Sequence, residues 1–288
     1  MVTGTMGAQL SELWGAHEPN GLAGILLWLA RSTPLGRGRL RKLTYQAFSA
    51  LHPGPVDTRV FETRVRLHPS NNVVERKALL RPERMDPRER AKLRRGMSVP
   101  GAVFIDIGAN AGLYSLDAAL HAGAGGHIVA IEPNEQLLNR LVFNIEIARR
   151  DGHILPSVVV TRLALAASDH DGVALLGASR SEGGRSLLDL ETDMAGAANE
   201  VPVRTLAGLV AELGLSRIDV LKIDVEGHED RIWPPFLDTV APNLRPRVLI
   251  IEHLARAEWK VDCIALAEAA GYSTLFTTNN NTVLERSD

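Results

Sequence analysis

The sequence predicts a doubly wound α/β domain that ends in an antiparallel hairpin and is preceded by a helical and β extension. Two observations carry this. After Pro100, short apolar runs at 102–107, 127–131, 157–163, 218–223 and 247–251 alternate with helical stretches around 112–122, 134–150, 205–213 and 256–270. That is the pattern of a parallel sheet covered on both faces. A last pair of runs, 272–277 and 282–286, brackets Asn279-Asn280-Asn281, a turn-rich tripeptide that favours a hairpin.

Ahead of this pattern, residues 22–50 read as helical but irregular, with Arg37, Arg39, Arg41 and Lys42 interleaved among apolar positions. This is the composition of a helix that lies on a surface. Residues 61–68 alternate Phe61, Thr63, Val65 and Leu67 with Glu62, Arg64, Arg66 and His68, the period of a half-buried strand. Asp86-Pro87-Arg88-Glu89 offers an N-cap acid, a proline at the first helical position and a glutamate at the third, so a short helix is expected up to Gly96. The expected organisation is a basic helical extension over 1–57, a β element and short helix over 58–100, and the α/β domain over 101–288.

Apolar residues make up 45% of the 288, enough for one large core and too many for wholesale disorder. The single cysteine, Cys263, cannot form an internal disulfide, and no Cys/His ligand spacing suggests structural zinc. The longest apolar run, 22–30, is broken by Gly24 and covers about half of a spanning helix. Glu12 and Glu18 precede or overlap that region with no Lys or Arg, unlike a secretory signal. A cytoplasmic location is expected, with the inner membrane face as a docking surface for the basic segment. The net charge of −2 hides an asymmetry: residues 31–100 hold 17 Lys/Arg against 6 Asp/Glu, and residues 101–288 hold 15 against 26. This implies either internal complementarity or attraction of an anionic acceptor or membrane surface.

The most informative segment is Val103-Phe104-Ile105-Asp106-Ile107-Gly108-Ala109-Asn110-Ala111-Gly112, an apolar strand running into a glycine-bearing turn and a helix. Glycine at 108 and 112 lets backbone approach a ligand closely, which implies a nucleotide-like ligand. Twenty residues after Gly112, at the end of the next strand, Glu132 can accept from both ribose hydroxyls. A dinucleotide fingerprint would want glycine at 106, where Asp106 instead repels a pyrophosphate. A carboxylate there suits a ligand with an ammonium group, such as the methionine part of S-adenosylmethionine, and Asn110 adds amide hydrogen bonding. Ser168 and Asp169 follow the third strand and either face the adenine ring or form a plain turn leading to Gly172.

Leu221-Lys222-Ile223-Asp224-Val225-Glu226-Gly227-His228-Glu229 gathers ionisable groups at the carboxyl end of a buried strand, the edge where ligands sit in open α/β sheets. Burying all of them without a ligand is unfavourable, although Glu229 reads as a helix cap. The sequence here resembles the FkbM-type family of S-adenosylmethionine-dependent methyltransferases over about residues 60–255. Three blocks carry the resemblance: Phe104 to Ser115, Val129-Ala130-Ile131-Glu132-Pro133-Asn134, and Lys222 to Glu229. It implies a seven-stranded Rossmann-like methyltransferase sheet, cofactor contacts from Asp106, Gly108, Asn110 and Glu132, and O-methylation of sugars, polyketides or other secondary metabolites. Two departures stand out: Thr205-Leu206-Ala207 lacks the family's acid, and His228 stands where the family more often has a small residue.

A hydroxyl acceptor must lose its proton near the transferred methyl. His228 is the first candidate base, because imidazole titrates near neutrality. Asp224 could hold the acceptor hydroxyl, Glu226 belongs to the same cluster, and Glu252-His253 offers a second base, His253. The cluster could also chelate a divalent metal, although no metal site is assigned. The acceptor is expected to be a small molecule, glycan or lipid-linked compound, with Ser181, Gly183, Gly184 and Ser186 of the 177–199 stretch lining its loop. Rival readings are a nicotinamide-dependent oxidoreductase or epimerase, disfavoured by Asp106 and the lack of a Tyr-x-x-x-Lys pair, and a non-catalytic cofactor-binding accessory protein. No nucleic-acid partner is expected, since no base-flipping motif accompanies the basic segment.

Overall fold

The computed structural model describes residues 13–166, 173–175 and 200–287. Ser168, Asp169 and the 177–199 stretch lie outside them. The chain opens with two helices, α1 (Gly21–Ser32) and α2 (Gly38–Leu51), where the sequence suggests one irregular stretch. The break is Pro34, which fixes φ and lacks a donor, and Thr33 Oγ1 accepts from the Leu35 N–H to start a short 3-10 turn. An antiparallel hairpin follows, β1 (Val56–Val60) and β2 (Thr63–Leu67), joined by Phe61 and Glu62, both at positive φ. The alternation at 61–68 is thus a turn plus one strand, and its partner at 56–60 alternates Val56, Thr58 and Val60 with Asp57 and Arg59, a signal of the same kind that sequence reasoning missed. Helix α3 (Val73–Leu80) has no counterpart among the sequence expectations.

Helix α4 (Pro87–Met97) begins where expected but is not capped as expected. Asp86 adopts φ 42° and makes no side-chain cap bond; its Oδ2 accepts from Tyr114 Oη at 3.1 Å instead. Glu89 Oε1 accepts from Thr278 Oγ1 at 2.5 Å and Asn281 Nδ2 at 3.3 Å. Gly96 does not stop the helix either. It lies inside α4, where a Cβ would stand 2.6 Å from Val220 Cγ2, so glycine lets the helix press onto the sheet.

The remaining elements follow in order: β3 (Val103–Ile107), α5 (Leu113–Leu120), β4 (His127–Ile131), α6 (Glu135–Arg150), β5 (Ser157–Thr161), β6 (Ala164–Leu165), β7 (Val173–Leu175), β8 (Glu200–Arg204), α7 (Leu206–Glu212), β9 (Val220–Ile223), α8 (Trp233–Thr239), β10 (Val248–Glu252), α9 (Cys263–Ala269), β11 (Tyr272–Thr277) and β12 (Asn281–Arg286). Seven strands form one sheet in the order β11-β12-β10-β9-β3-β4-β5, and β6, β8 and β7 form a small side sheet. β12 runs antiparallel between β10 and β11, while β10, β9, β3, β4 and β5 are mutually parallel. This is the doubly wound Rossmann-like sheet with its terminal hairpin. The order reverses between β3 and β9, and such a switch point opens a crevice at the strands' carboxyl ends.

Each sheet face has its own core. One joins Phe104, Val220 and Ile250 to Leu93, Met97 and Leu116, and continues into Leu27, Phe48 and Val65 of the N-terminal elements. The other joins Ile105, Leu221 and Ile251 to Trp233, Phe236 and Ile264. Part of the basic excess of the front is answered by the acids of the body. Asp117, fully buried, takes Arg90 at 3.1 Å and Arg94 at 2.7 Å, and Lys92 meets Glu285 at 2.7 Å. Among the described residues, no helix is long and apolar enough to cross a membrane.

Candidate active site

At the switch point lies a cavity of about 740 Å³. It is lined by the β3–α5 turn, the ends of β4, β9 and β10, the hairpin turn at 278–281, and the starts of α3 and α4. Asp106, Gly108, Asn110, Glu132, Asp224, Glu226, His228 and Glu252 all reach it.

Asp106 is fully buried on β3. Its Oδ2 accepts from Ser115 Oγ at 2.7 Å, whereas Oδ1 has no hydrogen-bond partner among the described residues, Lys222 Nζ standing 4.0 Å away. Burial pushes its carboxyl above the ordinary range, and Lys222 and Ser115 oppose the shift. At Gly108 (φ 76°), which lines the cavity, a Cβ would stand 1.8 Å from the Asp224 carbonyl oxygen, so glycine there lets the β3–α5 turn press onto the end of β9. Gly112 (φ 81°) does not line the cavity. Its missing Cβ makes room for Leu141, whose Cγ would lie 2.6 Å away, so this glycine serves packing of α5 on α6. The space that both glycines leave open is thus taken up by protein, while the Gly108 backbone still lines the cavity.

Asn110 sits at φ 54°, a left-handed conformation that a non-glycine residue adopts at some strain. Its Oδ1 accepts from Ala111 N–H at 2.8 Å and from the buried Asn72 Nδ2 at 2.7 Å. Asn72 Oδ1 in turn caps α3 by accepting from the Val74 and Glu75 N–H groups. The N-terminal extension is thereby latched to the turn. Glu132, 5% exposed, accepts from Asn110 N–H through Oε2 at 2.8 Å and from Asn134 N–H through Oε1 at 2.9 Å. Burial pushes its carboxyl up to about 7, against the two N–H donors.

On β9, Lys222 is 4% exposed and donates to Asp224 Oδ2 at 2.7 Å, with its ammonium 5.0 Å from the Tyr114 ring centroid. Glu226 (φ 55°) is pushed up to about 7 by burial first, then by Asp224 and Glu229. Glu252 is pushed up to about 9 by burial and the Asp224 and Glu226 carboxylates. Glu229 holds the loop together: Oε1 accepts from the Val225 and Gly227 N–H groups and Oε2 from Trp259 Nε1 at 2.8 Å. His228 lines the cavity beside these acids. His253 does not line it; one residue beyond Glu252, it turns the other way and its Nδ1 lies 3.0 Å from Thr282 Oγ1. Burial, then Arg256, hold its imidazole below the usual range. Its expected place in the cluster is therefore taken by Glu252.

Sequence reasoning missed Lys222, Asn72, Asp86 and Glu89 as cavity residues. Lys222 had a signal, a lone cation in a strand otherwise built for burial. Asp86 and Glu89 had one that pointed elsewhere, since they imitate a capping box. Thr205 Oγ1 caps α7 by accepting from the Gly208 N–H at 3.0 Å, so that start is formed without the acid absent at 207.

A family model described as the methyltransferase FkbM domain matches residues 106–272. The 31-O-demethyl-FK506 methyltransferase FkbM of Streptomyces tacrolimicus is 30% identical over 209 residues, covering 65% of this chain and 79% of that protein. The AMB antimetabolite synthetase AmbE of Pseudomonas aeruginosa is 30% identical over 183 residues, 52% of this chain and only 8% of that protein's length. Among solved structures, methyltransferase FkbM from Methylobacillus flagellatus aligns with 13% identity over 65% of this chain and 44% of that one, with a TM-score of 0.41. The family match spans the Asp106 turn, Glu132, the 222–229 cluster and Glu252, the sheet-edge wall of the cavity, and the chain belongs to the FkbM family of methyltransferases.

Proposed function

We propose that the protein is an S-adenosylmethionine-dependent O-methyltransferase acting on a hydroxyl of a sugar, glycan or secondary-metabolite acceptor. Asp106 carries the donor assignment: it is a buried cavity-wall carboxylate with one oxygen lacking a hydrogen-bond donor. Buried acceptors are normally satisfied, and the ammonium of a methionine moiety is a donor of the right sign. A pyrophosphate, which brings acceptors and no donor, would leave that Asp106 oxygen unsatisfied. Each Glu132 oxygen already takes one N–H and keeps a further lone pair for a ribose hydroxyl. The acceptor atom is argued by analogy, since the relative from Streptomyces is named for an O-demethyl compound.

When bound, S-adenosylmethionine supplies a sulfonium methyl to an acceptor oxygen. The chain's own residues align the acceptor, exclude water and receive the hydroxyl proton. His228 is the first proton acceptor, with Asp224 accepting from the hydroxyl and Glu226 placed beside them near neutrality. Glu252 keeps its proton at neutral pH and acts as a donor. Calorimetry with S-adenosylhomocysteine tests the donor site: Asp106→Asn should remain folded and bind at least tenfold more weakly, while NAD⁺ should not bind. Mass spectrometry over an acceptor panel tests the transfer, and His228→Ala should lower turnover by roughly 100-fold with donor affinity unchanged. Wild-type affinity in Asp106→Asn refutes the donor site, and wild-type turnover in His228→Ala removes histidine from the mechanism.

A further inference from the structure

Helix α1 is apolar on every side. From Leu22 to Ala30 it carries no charge; Ala23, Leu27 and Ala30 face the core, yet Leu22, Ile25 and Trp28, spaced three apart, are 68%, 56% and 64% exposed. A helix apolar all round belongs in a core or in lipid. Helix α2 repeats the pattern. Thr44 and Phe48 are buried, while Leu40, Leu43, Ala47 and Leu51 follow the three-and-four spacing of a single outward stripe, with Leu43 62% exposed. At 100° per residue, Arg39 lies about 40° beyond the Leu43 edge of that stripe and Lys42 about 100° beyond it on the same side. Arg37, Arg39, Arg41 and Lys42 are all exposed, and no acid pairs with them among the described residues.

We propose that the α1–α2 hairpin docks the protein on an anionic lipid surface, with the apolar stripes in the headgroup boundary and Arg37, Arg39 and Lys42 against lipid phosphates. Apolar stripes bordered by cations are what an interfacial helix pair needs. A second copy of the chain fits worse, because a two-fold pairing through this face would set the four cations against themselves. Gly36, Arg37, Gly38 and Arg41 also line the active-site cavity, so docking brings its mouth to the membrane. An amphiphilic or lipid-linked acceptor could then enter from the bilayer.

Co-sedimentation of the full chain with vesicles tests this. Binding is expected to phosphatidylcholine vesicles containing phosphatidylglycerol, to fall with added salt, and to be weak for phosphatidylcholine alone. Arg39→Glu/Lys42→Glu should weaken partitioning by about fivefold or more for each charge. Ile25→Ser/Trp28→Ser should weaken it at least tenfold, and circular dichroism should show both variants folded, since the four side chains are exposed. Brominated lipid should quench the wild-type tryptophan emission, and Trp28→Phe should remove that quenching. The proposal is overturned if the wild type ignores anionic vesicles at low salt, if both double variants bind like the wild type, or if sedimentation velocity shows a dimer that Trp28→Ser dissociates. Calorimetric affinity for S-adenosylhomocysteine should be unchanged in all these variants, so loss of the docking idea and loss of the methyl-transfer reading are told apart.

Discussion

A lysine buried in a parallel strand carries a desolvation penalty of roughly several kcal/mol unless it is paired. Lys222 is paired twice over, with Asp224 at 2.7 Å and Asp106 at 4.0 Å, and the two acids raise its ammonium well above the usual range against the effect of burial. It gives the two neighbouring carboxyls, Asp106 and Asp224, a shared cationic partner at the sheet edge. Glu132 has no such cation, and burial leaves it near 7. Ligand hydroxyls donating to its carboxylate would favour the ionised form, so binding should release a proton. Affinity for S-adenosylhomocysteine is therefore expected to rise with pH up to about 7 and then level off. Calorimetry in buffers of different ionisation enthalpy reads the proton directly; Glu132→Gln should bind more weakly and lose the pH slope, and a slope that persists assigns the proton elsewhere.

Strand parity, more than motif spacing, determines which side chains meet. Asp106 pairs in register with Lys222, and Lys222 with Ile250, so two residues on, Gly108, Asp224 and Glu252 share the same face. Period-two alternation therefore already favours Glu252 over His253, and the sequence reading went astray by weighing residue chemistry ahead of parity. The five parallel strands were legible because a two-sided core demands continuous apolar runs, whereas β1 and the side-sheet strands β6, β7 and β8 were not expected. Helix α8 was not, because Trp233-Pro234-Pro235 reads as a break although proline is tolerated in a first helical turn. Helix α3 was not, because its eight residues include Glu75, Arg76 and Lys77, and Glu75 is buried against Arg140 at 2.7 Å. The contact between the β3–α5 turn and the end of β9 makes a sharp prediction. Gly108→Ala should cost more than about 3 kcal/mol, because its Cβ meets a backbone carbonyl at a positive φ. Gly214→Ala, also at positive φ (62°) but with nothing within 4 Å, should cost only about 1–2 kcal/mol. Equal losses in thermal melts would mean that conformation, and not the close approach, makes glycine necessary at 108.

Across the whole molecule, the basic front and acidic body are joined by ion pairs such as Arg90 and Arg94 on Asp117, which the charge count could suggest but not assign. The carboxylates left over gather in the cavity, and that concentration has a consequence for stability. Glu132 and Glu226 are held near 7 and Glu252 near 9 in the folded chain, all above the range of an unfolded glutamate. Between about pH 4.5 and 9 the folded state therefore binds protons that the unfolded chain has released. Their contribution is fully present below about 4.5 and is lost as the pH rises through 7 and then 9. Asp57 shifts the opposite way, held low by Arg66 and two N–H donors despite its burial, so its contribution is lost only at more acidic pH. The ligand-free protein should consequently melt at progressively lower temperature from about pH 5 to 9. Glu226→Gln/Glu252→Gln should flatten most of that decline and leave a residual step near 7 from Glu132. S-adenosylhomocysteine, by holding Glu132 ionised, should remove the residual step, and a decline that survives both the double substitution and the ligand would place its source outside the cavity.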